Sequence, residues 1–451
     1  MTKLSEITCI NNLSYEYNEK TNVLIFDSID FDKTFDITIG QLFTDKHFDI
    51  EKTSVIRNRY SQDQPNYRFS INTLIKNANG FLSSVYIKKI IFINCIIGNN
   101  IFGSSSTDIS FVFKYCDFGL NLSDFIEKLQ VIQNENQIKK IIKLENCDFK
   151  EFSIENFDNS LNFILIGGKI ELLKISHSEI NSKFYINKQY DGNSETTKID
   201  RLEIKNTKFV ENFKLHNCIL KKSYISDVDF EKNADFFKTI FIEGIYDKEV
   251  YFKAINFQKL ALFGNTEFKN KVIFKYITFD SFVHFREAIF NNGLDLDYVN
   301  IQNEINFYRI KIINSSTVTQ ETFRIIKHHL EKIGNKIEAN RYHALELNKN
   351  RKNIWSSKRV TFDLFQRGLV SFVHFISSNH SQSWILPLIW IFITSYIVSL
   401  SIKGYYDLQY LSILADIKLN QEPMLFILHK SILGYLYYQF LVTVRKDTKQ
   451  L

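Results

Sequence analysis

Across residues 252–312, large apolar residues return at alternating intervals of five and six: Phe252, Phe257, Phe263, Phe268, Phe274, Phe279, Phe285, Phe290, Leu296, Ile301, Phe307 and Ile312. The residue two places before each is apolar or small, as in Val250, Ile255, Ala261, Thr266, Val272 and Ile277. Two inward positions in every five or six residues match neither the 3.6-residue period of a helix nor the alternation of a simple strand. They match a solenoid. In a right-handed β-helix each short side contributes one strand, two side chains per side fill the interior, and the next coil stacks about 4.8 Å away.

The same unit recurs upstream. It is tight at 204–209, 215–220, 225–230 and 236–241, slips at 243–249, and is widely spaced before that, at 92–97, 113–118, 144–149 and 175–180. Four of the five cysteines, Cys95, Cys116, Cys147 and Cys218, fall on the small position of this unit. No C-x-x-C pair occurs, so these cysteines read as small core residues rather than as disulfide or metal ligands, and a reducing compartment fits them best. Ser178 takes the same small position in the unit at 175–180, and the intervals of about 21, 31, 31 and 29 residues between units imply inserted loops or short helices, such as the amphipathic run at 122–132. Those insertions are the first candidates for contact with a partner.

This pattern resembles the pentapeptide-repeat family, specifically its eleven-residue Phe-rich subtype, in which two sides read Phe, x, x, small, x, Phe. The resemblance implies a coil of about 22 residues with four sides. The expected fold is mainly β: a right-handed quadrilateral parallel β-helix, followed by a capping α-helix and two transmembrane helices. Residues 1–86 read as an irregular N-terminal cap, 87–313 as the β-helix, 314–350 as the capping or linker helix, 351–383 as a basic amphipathic juxtamembrane segment and 384–451 as a two-helix transmembrane domain. Within the first segment, 22–31 looks like strand, and its 26–31 portion fits one repeat unit.

The repeat stops after residue 313. Thr317 and Gln320 form an acceptable capping box, and Phe323, Ile326, Leu330, Ile333 and Ile337 make an apolar stripe able to cover the last coil. His328, His329 and His343, with Glu331 and Glu346, sit at helical spacing among many charges and read as a solvated face rather than a metal site. Arg351, Lys352, Lys358, Arg359 and Arg367 follow, interleaved with Trp355, Phe362 and Phe365. Residues 384–402, beginning at Trp384, carry no charge over a length that crosses the ~30 Å hydrocarbon core of a bilayer. A second apolar segment at 424–444 ends in Arg445 and Lys446. Basic flanks on both sides put both chain ends in the cytoplasm and the polar loop between the helices on the opposite side. The chain's first ten residues contain no long apolar run, so no secretory signal is expected.

The stretches 323–347 and 434–446 are similar to the C-terminal part of bacterial membrane-bound pentapeptide-repeat proteins, in which a solenoid is joined to a pair of membrane helices, channel-like in some relatives. The resemblance implies an inner-membrane protein. The leading functional expectation is a membrane-anchored scaffold or binding module, its partners the lipid bilayer and an unidentified protein or further copies of itself. The alternative is an oligomeric channel-like or membrane-permeabilising effector, with His429, Tyr435, Tyr438 and Gln439 along a polar path between the helices. Nucleic-acid mimicry would need a strongly acidic rod, and the charges over 88–311 sum to nearly zero, so nucleic acid is not an expected partner. No P-loop, G-x-S-x-G or H-E-x-x-H is present and the carboxylate pair Asp295 and Asp297 is what a solvated strand carries by chance, so neither catalysis nor a cofactor is expected.

Overall fold

In the computed structural model the described residues are 15–18, 23–27, 89–93, 96–97, 110–121, 141–156, 158–159, 162–187, 196–356, 361–415, 417 and 423–448. The chain divides into two units, Met1–Thr317 and Val318–Leu451. Parallel pairing between strands one repeat apart organises the first. Phe252 lies opposite Phe274, Phe268 opposite Phe290, and Ala261 opposite Val283, which in turn faces Ile305. The strands assemble into a 12-stranded and a 14-stranded sheet. Among the described residues every pairing is parallel except that of Tyr15–Asn18 with Val23–Asp27.

In-register parallel pairing places like residues over like, and the anchors form four columns of rings. Phe236, Phe263, Phe285 and Phe307 stack with centroids 4.9, 4.9 and 5.7 Å apart, and Phe241, Phe268 and Phe290 at 4.9 and 5.3 Å. Phe252 stacks on Phe274 at 5.0 Å and Phe257 on Phe279 at 5.1 Å. Neighbouring columns meet edge to face, as at Phe252 and Phe263, where the rings are inclined by 82°. All of these rings are buried. Removing each from water is worth about 2 to 3 kcal/mol, and favourable ring pairs add about 0.5 to 1.5 kcal/mol.

Two features hold the corners. First, the residue before each small position adopts a left-handed conformation: Asn146, Asn206, Asn217 and Asn265, and also Tyr115, Asp227, Lys238 and Glu287. At Lys238, Asn265 and Glu287 it is the third residue of a β-turn, closed by Thr239 N–H donating to the Phe236 carbonyl at 3.2 Å, Thr266 N–H to Phe263 at 3.3 Å and Ala288 N–H to Phe285 at 2.9 Å, whereas Asn206 and Asp227 lie within strands. Asparagine tolerates this conformation better than other non-glycine residues. Second, at several of these positions the small side chain carries a donor. Thr266 Oγ1 donates to the Phe236 carbonyl at 2.8 Å, Thr239 Oγ1 to that of Leu215, and the Cys116 and Cys147 thiols to those of Phe92 and Phe113 at 3.5 Å each. Where the slot holds Thr or Cys, the side chain thus satisfies a carbonyl of a neighbouring strand; Ala288, Val228, Ile255 and Ile277 fill it by packing alone.

The small positions form two columns. Cys116, Cys147, Gly168, Thr197, Cys218, Thr239, Thr266 and Ala288 belong to one; Ser178, Thr207, Val228, Ile255 and Ile277 to the other. Ser178 is thus not the successor of Cys147, and the interval of 31 residues between them is no repeat length. The successor is Gly168, in a unit at 165–170 that has glycine in the small position and escapes the sequence pattern. A Cβ on Gly168 would lie 2.1 Å from the Cys147 carbonyl oxygen, and its φ is +78°. Gly168→Ala therefore combines a backbone collision with a conformation that disfavours alanine, and should lower stability by about 2 kcal/mol or more, read as a shift of the denaturant midpoint.

Of the segment expected to be an irregular cap, Val23–Asp27 joins the sheet in parallel beside Lys89–Ile93, with Phe26 opposite Phe92, and Tyr15–Asn18 adds an antiparallel strand along it. An antiparallel strand ends the run of parallel additions at that edge. The polar stretch at 45–67, the amphipathic run at 122–132 and Cys95 lie outside the described residues.

The second unit contains α1 (Gln320–Lys332), α2 (Lys336–Ser356), α3 (Phe362–Ser378), α4 (Ile385–Lys403) and α5 (Pro423–Thr448). The run expected to be one helix breaks at Gly334, whose φ is +81°, and α2 folds back along α1. Of Ser316, Thr317 and Thr319, the three N-cap candidates that the sequence offers, Thr319 is the one used, accepting from Thr322 N–H at 3.1 Å, so the capping box from Thr317 to Gln320 does not form the cap. The boundary at 350/351 falls inside α2. The expected solvated face is also corrected: Glu346 is buried between Arg324 Nε at 3.0 Å and Lys327 Nζ at 2.9 Å. Burial raises the Glu346 carboxyl pKa, but the hydrogen bonds from Lys327 and Arg324 outweigh it and hold the group below its ordinary value.

Candidate functional site

Two helices of the second unit, Ile385–Lys403 and Pro423–Lys446, are long and apolar enough to cross a membrane. At 1.5 Å per residue they span about 28 and 36 Å, against a hydrocarbon core of ~30 Å. Both chains of residues start where proline is tolerated, Pro387 in the first turn of α4 and Pro423 at the first position of α5. Gly404, with φ +75°, ends α4.

The helices pack through Ile391, Leu433 and Leu436, with Leu388, Trp390 and Tyr435 around them. Ile389, Phe392, Ile393, Ile397 and Leu400 on α4, and Met424, Ile427, Leu428 and Leu441 on α5, are left exposed. An apolar helix with its flanks bare is not the buried core helix of a water-soluble domain.

Several polar residues of α5 find partners inside the unit. His429 is buried with Nε2 2.9 Å from the Tyr410 carbonyl, and Lys430 Nζ donates to the Ala415 carbonyl at 2.7 Å and to that of Ile413. Tyr437 donates to the Leu411 carbonyl at 2.8 Å. The connecting segment thus folds onto α5, burying Tyr410, Ala415 and Ile417 against Val398. Tyr435 Oη lies 3.1 Å from Ser377 Oγ, and Ser378 Oγ donates to Gln439 Oε1 at 3.1 Å, both from α3. Tyr438 points outward, 61% exposed. Tyr435 and Gln439 are therefore together, His429 stands apart against the connecting segment, and Tyr438 joins neither.

Helix α3 is amphipathic. Thr361 caps it by accepting from Leu364 N–H at 3.3 Å, and Asn379 ends it with a left-handed residue. Phe362, Phe365, Leu369, Val370 and Val373 are exposed along it, a composition suited to lying in a bilayer interface. Of the basic residues expected at that interface, Arg367 pairs with Asp363 at 3.0 Å, Lys352 and Arg445 are exposed, and Lys446 is half-buried. Arg351 stacks its guanidinium 3.7 Å from the Phe375 ring centroid. Trp384 precedes α4, 44% exposed. Lys358 and Arg359 lie outside the described residues.

His374 and His380 meet at the end of α3, with Nδ1 atoms 3.4 Å apart. Burial, then the positive charges of His374, Arg351 and His343, pushes the His380 imidazole down to about 4. Since the unfolded value is about 6.5, the unfolded chain binds more protons between these limits, and stability falls as pH drops from about 6.5 towards 4. Thermal unfolding in detergent should show that fall, and His380→Asn, which keeps the left-handed backbone, should reduce it; an identical acid slope in the variant would assign the effect to other groups.

On the first unit, exposed tyrosines gather at one corner: Tyr276 and Tyr298 with centroids 5.5 Å apart, and Tyr246 against Tyr224 at 4.9 Å. Lys205 donates to Tyr246 Oη at 2.6 Å, and Lys275 lies 5.3 Å from the Tyr276 ring. The sequence pattern was blind to this patch because its residues fall on outward positions. Asp295, by contrast, pairs with Lys271 at 3.3 Å. Comparison with known proteins adds nothing to these observations, since no family model, no curated protein and no solved structure matches the chain.

Proposed function

We propose that the chain is a membrane-anchored scaffold: a right-handed quadrilateral β-helix of the pentapeptide-repeat type, tethered by α4 and α5 as a two-pass pair in a bacterial inner membrane, with both chain ends in the cytoplasm. The observation that carries the reading is the bare apolar flank of both helices, each long enough to cross a bilayer. Four columns of rings at offsets of 22 and, in two columns, 27 residues support the β-helix. The tyrosine and lysine corner supplies the aromatic and basic side chains that protein contacts use, and is the surface assigned to the partner, another protein or a second copy. An oligomeric pore is the weaker reading, because His429, Tyr435 and Gln439 already have hydrogen-bond partners within one copy.

Dye-loaded liposomes test this. Full-length protein should float with the vesicles and leave them tight, whereas chain ending at residue 383 should neither insert nor leak dye. Leakage that depends on α4 and α5 would replace the scaffold with the pore.

A further inference from the structure

The end of α3 gathers basic side chains from three helices. His374 faces Lys446 from the last turns of α5 and His343 from α2; His380 faces His374, Arg351 and His343. Every charged group acting on these two histidines is basic. Glu346 is held by Arg324 and Lys327 and touches this group only through His343, whose Nδ1 is 3.6 Å from it. Arg351 donates to Asn348 Oδ1 at 2.8 Å, but its buried Nε has no partner, and His380, 2% exposed, has a buried Nε2 without one. Arg351 and Lys446 are the cations of this cluster, while the His380 imidazole, pushed down by burial, stays uncharged near neutral pH; orphaned nitrogens beside two cations call for a ligand that accepts hydrogen bonds and carries negative charge.

An apolar groove of about 350 Å³ lies beside it, between Phe372, Val373 and Ile376 of α3, Trp390 of α4, and Ile432 and Leu436 of α5. The bonds from Ser377 to Tyr435 and from Ser378 to Gln439 join the two sites. Along α5, Gln439 lies about 10 Å and Ile432 about 21 Å from Lys446, the depth range of the acyl chains in one leaflet. Cations at the level of the headgroups above an apolar slot at the level of the chains match the two ends of one molecule.

We propose that the helical unit holds one anionic phospholipid, its phosphate among Arg351, His374, His380 and Lys446 and one acyl chain in the groove between α3, α4 and α5. The assignment rests on reading α4 and α5 as membrane helices. Its test does not require them to span: binding is measured on full-length protein in an uncharged detergent, while flotation on phosphatidylcholine vesicles tests insertion separately.

Native mass spectrometry would follow phosphatidylglycerol, phosphatidylcholine and inorganic phosphate. One phosphatidylglycerol should bind about tenfold or more tightly than phosphatidylcholine, and Arg351→Gln with Lys446→Gln should remove that preference. Because Arg351 also stacks on Phe375, Lys446→Gln alone, near the helix end, provides a variant that leaves the packing intact. Ile432→Trp should fill the groove and weaken phosphatidylglycerol. Equal binding of the two lipids, or full retention of phosphatidylglycerol by the double variant, overturns the proposal. Inorganic phosphate binding as tightly as phosphatidylglycerol overturns it as well, leaving a small-anion site.

Discussion

Phe274→Asp should abolish the folded first unit, seen as loss of soluble or membrane-integrated full-length protein and of its β-type circular dichroism. The ring is fully buried, stacked on Phe252 at 5.0 Å and edge-on to Phe263 and Phe285 at 5.6 and 5.7 Å. A carboxylate there loses its hydration and has no cation or donor within the column. The cost, on the order of 5 kcal/mol or more, is comparable to the whole stability of a typical domain. Phe274→Leu serves as the control: it keeps an apolar side chain and should cost about 1 to 2 kcal/mol, leaving the spectrum unchanged. Normal yield and spectrum for the aspartate variant would mean that the column is not the core.

The second large effect concerns α4. Ile393 and Ile397 both lie on its bare flank, 39% and 56% exposed, whereas Ile391 is 2% exposed and packs against α5. Lysine at 393 and 397 therefore probes the surroundings of the helix without cutting the helix pair apart. Near the bilayer centre each lysine costs about 3 kcal/mol on insertion, so the double variant should shift from the membrane pellet to the soluble or aggregated fraction. Ile391→Lys should instead break the packing of α4 on α5, lowering thermal stability in detergent. Unchanged carbonate-resistant sedimentation of the 393/397 variant would remove the membrane assignment of α4.

The repeat could be read from residues 252–312 because parallel pairing in register repeats the same demand at each layer, and phenylalanine answers it visibly. Where the answer varies, the pattern fades. Gly168 takes the place of a small donor, so a search for Cys, Ser or Thr between two apolar anchors passes over its unit, which runs from Leu165 to Ile170. The two columns of small residues cannot be told apart in one dimension, which is why Ser178 looks like the heir of Cys147. Asparagine abundance also had a conformational cause at positions 146, 206, 217 and 265 that composition alone does not reveal. In the helical unit the apolar spans were legible from composition and length. The break at Gly334 was present as a Gly-Asn pair but was outweighed by the stripe running through it. Partnerships such as Ser378 with Gln439 join residues 61 apart, and only folding brings them within reach.

Because each ring column is held by residues one repeat above and below, heredity can act on whole layers. Successive strands sit 21, 22, 27 or 29 residues apart without losing their columns, the surplus leaving at the corners. An in-frame duplication of residues 250–271 would add one storey of about 4.8 Å and repeat contacts that already exist. Deleting a single residue within a strand would instead turn its inward side chains outward. Copy number can therefore set the length of this unit in steps, while the surface of each storey diversifies on its own.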